Sequence, residues 1–229
     1  MDVDRDSIDE PDERTAPELS PSCSRATLKE QVRPAILSVV VLTVLAGVVF
    51  PLLLFALARP LFPRQTAGSL IRRSGAVVGS ELIGQDFRRP EYFESRPSAA
   101  RNGYDGTASG GTNLGPNNPK LVNGSLDFAG ILQLSKAYRE RNGLVSAVPI
   151  PIDAVTRSAS GLDPHISLAN ALLQASRVAR ARGLSEESVR RLVIGHLEGR
   201  QFGFLGSARV SVLALNLALD ELSGDRVIR

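Results

Sequence analysis

Between Arg33 and Arg59 the chain reads PAILSVVVLTVLAGVVFPLLLFALA, twenty-five residues without a charged side chain. A helix needs about 20 apolar residues to cross a hydrocarbon core about 30 Å thick, and only a helix or a closed barrel satisfies its own backbone there. The run therefore predicts one transmembrane helix over residues 34–58. A cleaved signal sequence is the nearest alternative, but its apolar region is typically about 7–15 residues and ends at a small-residue cleavage site. The RPLFP that follows Ala58 offers no such site, so the helix reads as an uncleaved anchor. Pro51 removes one helical hydrogen bond inside the span and predicts a kink.

The anchor separates two unlike segments. Residues 1–20 hold eight acidic and two basic side chains with few apolar ones, too little to offset the entropy of ordering. Residues 1–25 are therefore expected to be a disordered acidic tail. Arg25, Lys29 and Arg33 precede the helix while Arg59, Arg64, Arg72 and Arg73 follow it, so the balance of positive charge does not fix orientation. The single cysteine, Cys23, lies in the tail. A thiol-free stretch over residues 59–229 suits an extracytoplasmic domain without disulfides. That stretch carries twenty-two basic and fifteen acidic side chains, net +7. Five arginines stand at 177, 180, 182, 190 and 191 with no aromatic residue among them. Nucleic-acid binding calls for stacking aromatics between the basic groups, so the arginines read as a solvated face and no nucleic-acid partner is expected.

Residues 59–229 read as mixed α/β. Short apolar groups at Val77-Val78, Leu82-Ile83 and Tyr92-Phe93 predict short strands and turns over 69–96. Asn118-Pro119 predicts a helix start, with Leu126, Ile131, Leu134, Ala137 and Tyr138 at helical spacing as far as Asn142-Gly143. Two prolines make Val148–Ile152 extended. Asp163 as N-cap and Pro164 at the first position predict a second helix, closed by Gly183. Ser185 predicts a third, with Glu186 and Glu187 at the positive end of its dipole, and the segment from Ser211 to Leu222 a fourth.

Chemistry-bearing groups are sparse. His165 and His196 are the only histidines and neither has a cysteine near it, so no metal site is expected. Ser160, Asp163 and His165 are close in sequence but lack a nucleophile elbow, so no catalytic residue is assigned. Asn102–Pro119 reads NGYDGTASGGTNLGPNNP, with five glycines, four asparagines and two prolines. It is a loop on any reading, and not a Walker loop, because Gly110-Gly111-Thr112 is followed by Asn113 and Leu114 rather than by lysine and a hydroxyl. A loop longer than about 12–15 residues inside a domain is functional or disordered. If it is ordered, Gly110 and Gly111 are expected in backbone conformations closed to β-branched residues.

Several strings carry a resemblance: GSLI at 68–71, LIGQDF at 82–87, YFESRPSA at 92–99, ASGGTNLGPNNP at 108–119, SASGLDPHIS at 158–167, RVARARGLS at 177–185 and LNLALDEL at 215–222. Together with the single span, over about residues 33–222, they resemble the C subunit of the bacterial Kdp-type potassium-transporting ATPase; the acidic tail lies outside the family pattern. The resemblance implies a non-catalytic accessory subunit in the inner membrane, N-terminus cytoplasmic and large domain extracytoplasmic. Implied partners are a channel-like potassium-binding subunit, a P-type ATPase subunit and the lipid bilayer. ATP and potassium would be handled by the complex, with no cofactor of the chain's own. The resemblance also implies a catalytic chaperone that raises the ATP affinity of the pumping subunit, with Ser158, Ser160 and Gly161 as nucleotide-binding candidates. Gly106, Ser109, Gly110, Gly111 and Asn113 are the candidates for a loop ordered by packing or by a partner. The competing role is structural, stabilising the assembly. An anchored binding or hydrolytic domain unrelated to ion transport is the alternative from another class.

Overall fold

The computed structural model describes residues 27–222; the acidic tail over 1–25, with Cys23, lies outside the described residues. Contacts between Cα atoms divide the chain into residues 1–58 and 59–229. The apolar run lies in one continuous helical stretch made of α1 (Leu28–Val44), a π-helical turn (Leu45–Val49) and α2 (Phe50–Leu61). Its start is fixed by the Thr27 N–H, which donates to the Glu30 carboxylate at 2.9 Å, the reach-back half of a capping box. The stretch has 34 residues and rises about 51 Å at 1.5 Å per residue. It is long and apolar enough to cross a membrane, and none of its apolar side chains is buried within the chain. The disturbance expected at Pro51 takes the form of the π-helical turn. The Phe50 N–H reaches the Leu45 carbonyl, widening the turn where the proline ring would press on the carbonyl of Gly47.

Over residues 59–222 the second unit is mixed α/β. In chain order its elements are α3 (Pro63–Thr66), β1 (Leu70–Arg73), β2 (Ala76–Ser80), α4 (Pro119–Asn123), α5 (Ile131–Asn142), α6 (Ile152–Val155), β3 (His165–Ile166), α7 (Leu168–Arg182), α8 (Glu186–Gly195), β4 (Leu197–Glu198), β5 (Arg209–Ser211) and α9 (Val212–Leu222). Strands β1 and β2 pair as an antiparallel hairpin with a bulge at Ile71/Arg72. Their two-residue turn has positive φ at Ser74 (50°) and Gly75 (83°), as the primed hairpin turns require. The second sheet is antiparallel in the order β3-β5-β4, with Val210 at its centre opposite both Ile166 and Leu197. Helices α7, α8 and α9 close over it, burying Val178, Val189, Val193, Leu215 and Leu219. A smaller cluster joins Tyr138 of α5 to Ala154 and Val155 of α6.

The strands expected at Leu82-Ile83 and Tyr92-Phe93 are absent. Among the described residues, 81–118 holds no named strand, and side-chain amides supply what a neighbouring strand would. Asn216 of α9 accepts from the Phe93 N–H at 2.8 Å and donates to its carbonyl at 2.9 Å. Gln174 of α7 accepts from the Glu94 N–H at 2.8 Å and donates to the Glu94 carbonyl at 3.2 Å. Buried backbone groups need partners, and two amides one residue apart in register provide four bonds.

Three helix boundaries differ from expectation. The predicted 118–142 helix is two, because Gly124 and Gly130 lie so close that a Cβ on Gly130 would sit 2.3 Å from the Gly124 nitrogen, and Leu126 is fully exposed between them. Ile152, expected to be extended, opens α6 with Pro151 ahead of it. Asp163 caps no helix. Its carboxylate accepts from the His165 N–H at 3.0 Å, a local turn that competes with helix initiation. His165 and Ile166 then pair with β5, and Ser167 takes the cap, accepting from the Asn170 N–H at 3.1 Å.

The arginine-rich segment divides by burial. Arg190 and Arg191 pair with Glu186 and Glu187 on the surface of α8. Arg177 and Arg182 overturn the solvated-face reading, with side chains only 7% and 4% exposed. Arg177 donates to the Pro90 and Tyr92 carbonyls at 2.7 and 2.9 Å. Arg182 donates to the Glu91 carbonyl and pairs with the fully buried Asp220, each at 2.7 Å.

Candidate functional site

Two loops fifty residues apart in sequence meet in space. The glycine-rich loop lies against the Ser158–Gly161 turn through the Gly110 N–H, which donates to the Ser160 carbonyl at 2.8 Å. The Ser109 hydroxyl donates to the same carbonyl at 3.0 Å. Gly161 sits at φ +68°, and a Cβ there would stand 2.5 Å from the Gly110 carbonyl and 2.6 Å from the Ala100 nitrogen. Gly111 faces Ala159, whose carbonyl a Cβ would approach to 2.8 Å. Gly106 meets the tip of Ile83, and Asn113 is exposed with φ 51°.

Gly110 and Gly111 are not at positive φ, contrary to expectation. The need for glycine at 111 is close approach to backbone, and left-handed geometry is confined to neighbours such as Gly161. Gly110 itself has room, since its Cβ would lie 3.6 Å from the Ala99 carbonyl, an ordinary contact.

Ser98 ties the site together, and nothing in its local sequence marks it. Its hydroxyl donates to the Gly161 carbonyl at 2.6 Å while accepting from the backbone N–H groups of Ala100 and Tyr104. The Tyr104 hydroxyl donates to the Arg96 carbonyl at 2.6 Å. Burial raises the Tyr104 phenol above its ordinary range. Arg157 adds a further tie, from its Nη1 to the Ala129 carbonyl at 3.0 Å, with its guanidinium 4.4 Å from the Phe128 ring centre. Beside the loop lies a cleft of about 380 Å³ lined by Arg88, Glu94, Tyr104, Tyr138, Arg141 and Gln174 among others.

The hydroxyls of the turn have partners of their own. Ser160 Oγ accepts from the Leu162 N–H at 3.1 Å and lies 3.3 Å from Ser158 Oγ. His165 turns to Asp163 and Glu198, at 3.6 and 3.8 Å, so the sequence neighbours Ser160, Asp163 and His165 form no relay. No helix begins at Pro164 to present free N–H groups, since α7 starts at Leu168. Among the described residues, no group of three His, Cys, Asp or Glu side chains could hold a metal ion.

Asp163 anchors the far end of the turn. Arg96 donates to it at 2.8 Å. Burial alone would raise the carboxyl, but the His165 and Arg96 donors outweigh burial and hold it at about 2, against an ordinary 3.8. A depressed carboxyl contributes stability that is fully present above pH 3.8 and disappears as pH falls through 2. The shift corresponds to about 2 kcal/mol. Asp163→Asn should therefore lower the stability of the full chain in micelles by that order at pH 7. The gap between variant and wild type should narrow below pH 4 and close near pH 2. A gap constant from pH 7 to 2 would show that the ionised carboxylate contributes nothing.

Among the described residues, one helix long and apolar enough to cross a membrane is followed by an α/β unit whose glycine-rich loop is tied to the 158–161 turn by hydrogen bonds within the unit, a layout that fits a membrane location. The chain belongs to the KdpC family, described as K+-transporting ATPase, c chain, whose model matches residues 32–221. That span takes in the apolar run over 34–58, both loops and all of α9 but its last residue. Similar chains named Potassium-transporting ATPase KdpC subunit occur in Koribacter versatilis, 52% identical over 84% of this chain and 95% of the relative. The same name belongs to a Mycobacterium tuberculosis H37Rv protein, 47% identical over 85% of this chain and 100% of the relative. A Methylococcus capsulatus chain of that name is 52% identical over 83% and 97%.

Proposed function

We propose that this chain is the accessory subunit of an ATP-driven potassium importer, and that it holds together a channel-like potassium-binding subunit and a P-type ATPase subunit. The observation that carries this reading is the family match running through helix and domain as one piece. The helix inserts in the plasma membrane with its N-terminus cytoplasmic, and its unburied apolar side chains face lipid and partner helices. Residues 59–229 lie outside, which suits a domain with no thiol.

The chain performs no catalysis and holds neither ATP nor potassium itself. Its influence on ATP affinity, the chaperone role implied for the family, passes through assembly of the complex rather than through contact at Ser158, Ser160 and Gly161. The supporting observation is that the Ser160 and Gly161 carbonyls and the Ser160 hydroxyl already have partners within the domain. A domain outside the membrane is also separated from cytoplasmic ATP.

The test is solubilisation and pull-down of the tagged full chain. The potassium-binding and ATPase subunits should co-purify in fixed ratio, and Ser160→Ala should leave the KM for ATP of the assembled pump unchanged. Protease added to intact spheroplasts should remove residues 59–229. A chain that purifies alone sinks the subunit reading, and a domain cut only after lysis sinks the orientation.

A further inference from the structure

The turn between β4 and β5 presents an apolar tip that the domain does not use. Phe202 is 87% exposed, Phe204 70% and Leu205 48%, together on the order of 400 Å² of apolar surface, given that an aromatic side chain buries about 150–250 Å² when covered. The largest apolar patch on a typical monomer is about 300–600 Å² and is often functional, so the tip is large enough to ask what covers it. The tip is closed upon itself. Gln201 and Leu205 exchange backbone hydrogen bonds at 3.0 and 2.9 Å, and the Phe204 N–H also reaches the Gln201 carbonyl at 3.2 Å. Phe202 is held at φ 53°, a left-handed conformation unfavourable for a bulky residue and one that persists where surroundings fix it.

We propose that this tip is a docking peg for a neighbouring subunit of the potassium-transporting ATPase, on the same side of the membrane, with an apolar pocket rimmed by carboxylates; this rests on the accessory-subunit reading. Three observations favour that occupant. A bilayer is fluid and accepts phenylalanine in any backbone conformation, so it gives no return for a closed turn with Phe202 held left-handed. Membrane-surface belts use tryptophan and tyrosine, whereas both aromatic residues of the tip are phenylalanine. Residues 199–208 contain Arg200 and no carboxylate, so a tip-to-tip pair of this chain would bring two Arg200 side chains together, while an acidic rim would complement one. The area is below the roughly 800 Å² per partner of a free-standing interface. A peg on a chain already held at the membrane needs less, because its contact is intramolecular in effect.

The experiment uses the full chain expressed with the other pump subunits, carrying a photo-crosslinking phenylalanine analogue at 202, alongside Phe202→Ala/Phe204→Ala and Phe202→Gly. Crosslinks should map to an apolar segment of another pump subunit next to aspartate or glutamate. Phe202→Ala/Phe204→Ala should lower recovery of the other subunits at least fivefold at unchanged thermal unfolding of the chain. Phe202→Gly relieves the left-handed backbone, so it should unfold no earlier than wild type and still lose recovery, separating docking from folding. Crosslinks confined to lipid or to a second copy of the chain overturn the peg. Undiminished recovery with both variants overturns it while leaving the subunit reading in place. Absence of pump subunits from the wild-type preparation overturns both.

Discussion

Arg182→Met should destabilise the domain by about 3–5 kcal/mol, the range for removing one partner of a buried ion pair. Asp220 is fully buried and Arg182 nearly so, 2.7 Å apart, so the carboxylate left behind would have no route to water. The Tyr92 hydroxyl, at 3.3 Å, is a long and neutral substitute for a guanidinium. Arg182 also crosses the Tyr92 ring, 4.8 Å from its centre, and ties down the Glu91 carbonyl. Its loss therefore loosens the 90–95 segment from α7 and α9 together. Against a typical stability of 5–15 kcal/mol this is a large fraction, and the expected readout is a lower denaturant midpoint for the full chain in micelles. Asp220→Leu added to Arg182→Met should recover part of the loss, because it removes the stranded charge. A single variant within about 1 kcal/mol of wild type would show that the pair is hydrated in solution.

That pair also shows where sequence reading stops. The anchor was legible because twenty-five charge-free residues allow few other folds. Gly183 closing α7, and Ser185 with two glutamates opening α8, were legible because capping is decided within a turn. The 82–96 segment was not, because the groups that hold it, Gln174, Arg177, Arg182 and Asn216, lie eighty or more residues away. A signal was present: Asn216 and Asp220 stand four apart on the buried face of α9, among Val212, Leu213, Leu215 and Leu219, and a polar pair on a buried stripe calls for a specific partner. Asp163 misled because an aspartate before proline and an apolar run satisfies the rule for an N-cap, and only the pairing of His165 and Ile166 with β5 decides against it. Two of the strings that carried the family resemblance, ASGGTNLGPNNP at 108–119 and SASGLDPHIS at 158–167, build the loop-to-turn contact. The resemblance did not carry the geometry of that contact, in which the Ser160 carbonyl, not a side chain, holds the loop.

The three glycines at that contact should respond in a fixed order. Gly110→Ala should change stability by less than about 0.5 kcal/mol, as for a substitution without strain, since its Cβ would meet only the Ala99 carbonyl at 3.6 Å. Gly111→Ala should cost about 1–3 kcal/mol, the range for overpacking, because the atom it would strike is the Ala159 backbone carbonyl at 2.8 Å. Gly161→Ala should cost most. It adds a left-handed conformation, about 1–2 kcal/mol for a residue with a Cβ, to contacts of 2.5 and 2.6 Å with backbone on two sides. Relief would mean parting the Gly110 N–H from the Ser160 carbonyl, so the loop should loosen before the core does. Faster amide exchange at Gly110 in Gly111→Ala and Gly161→Ala is the specific readout, with the helices unaffected. If the loop is part of what the pump subunits hold, recovery of the complex should fall in the same order. Equal stability and equal exchange in all three variants would mean that residues 102–119 form a slack spacer in solution, since a chain that visits many conformations gives up little to a methyl group at any of these positions.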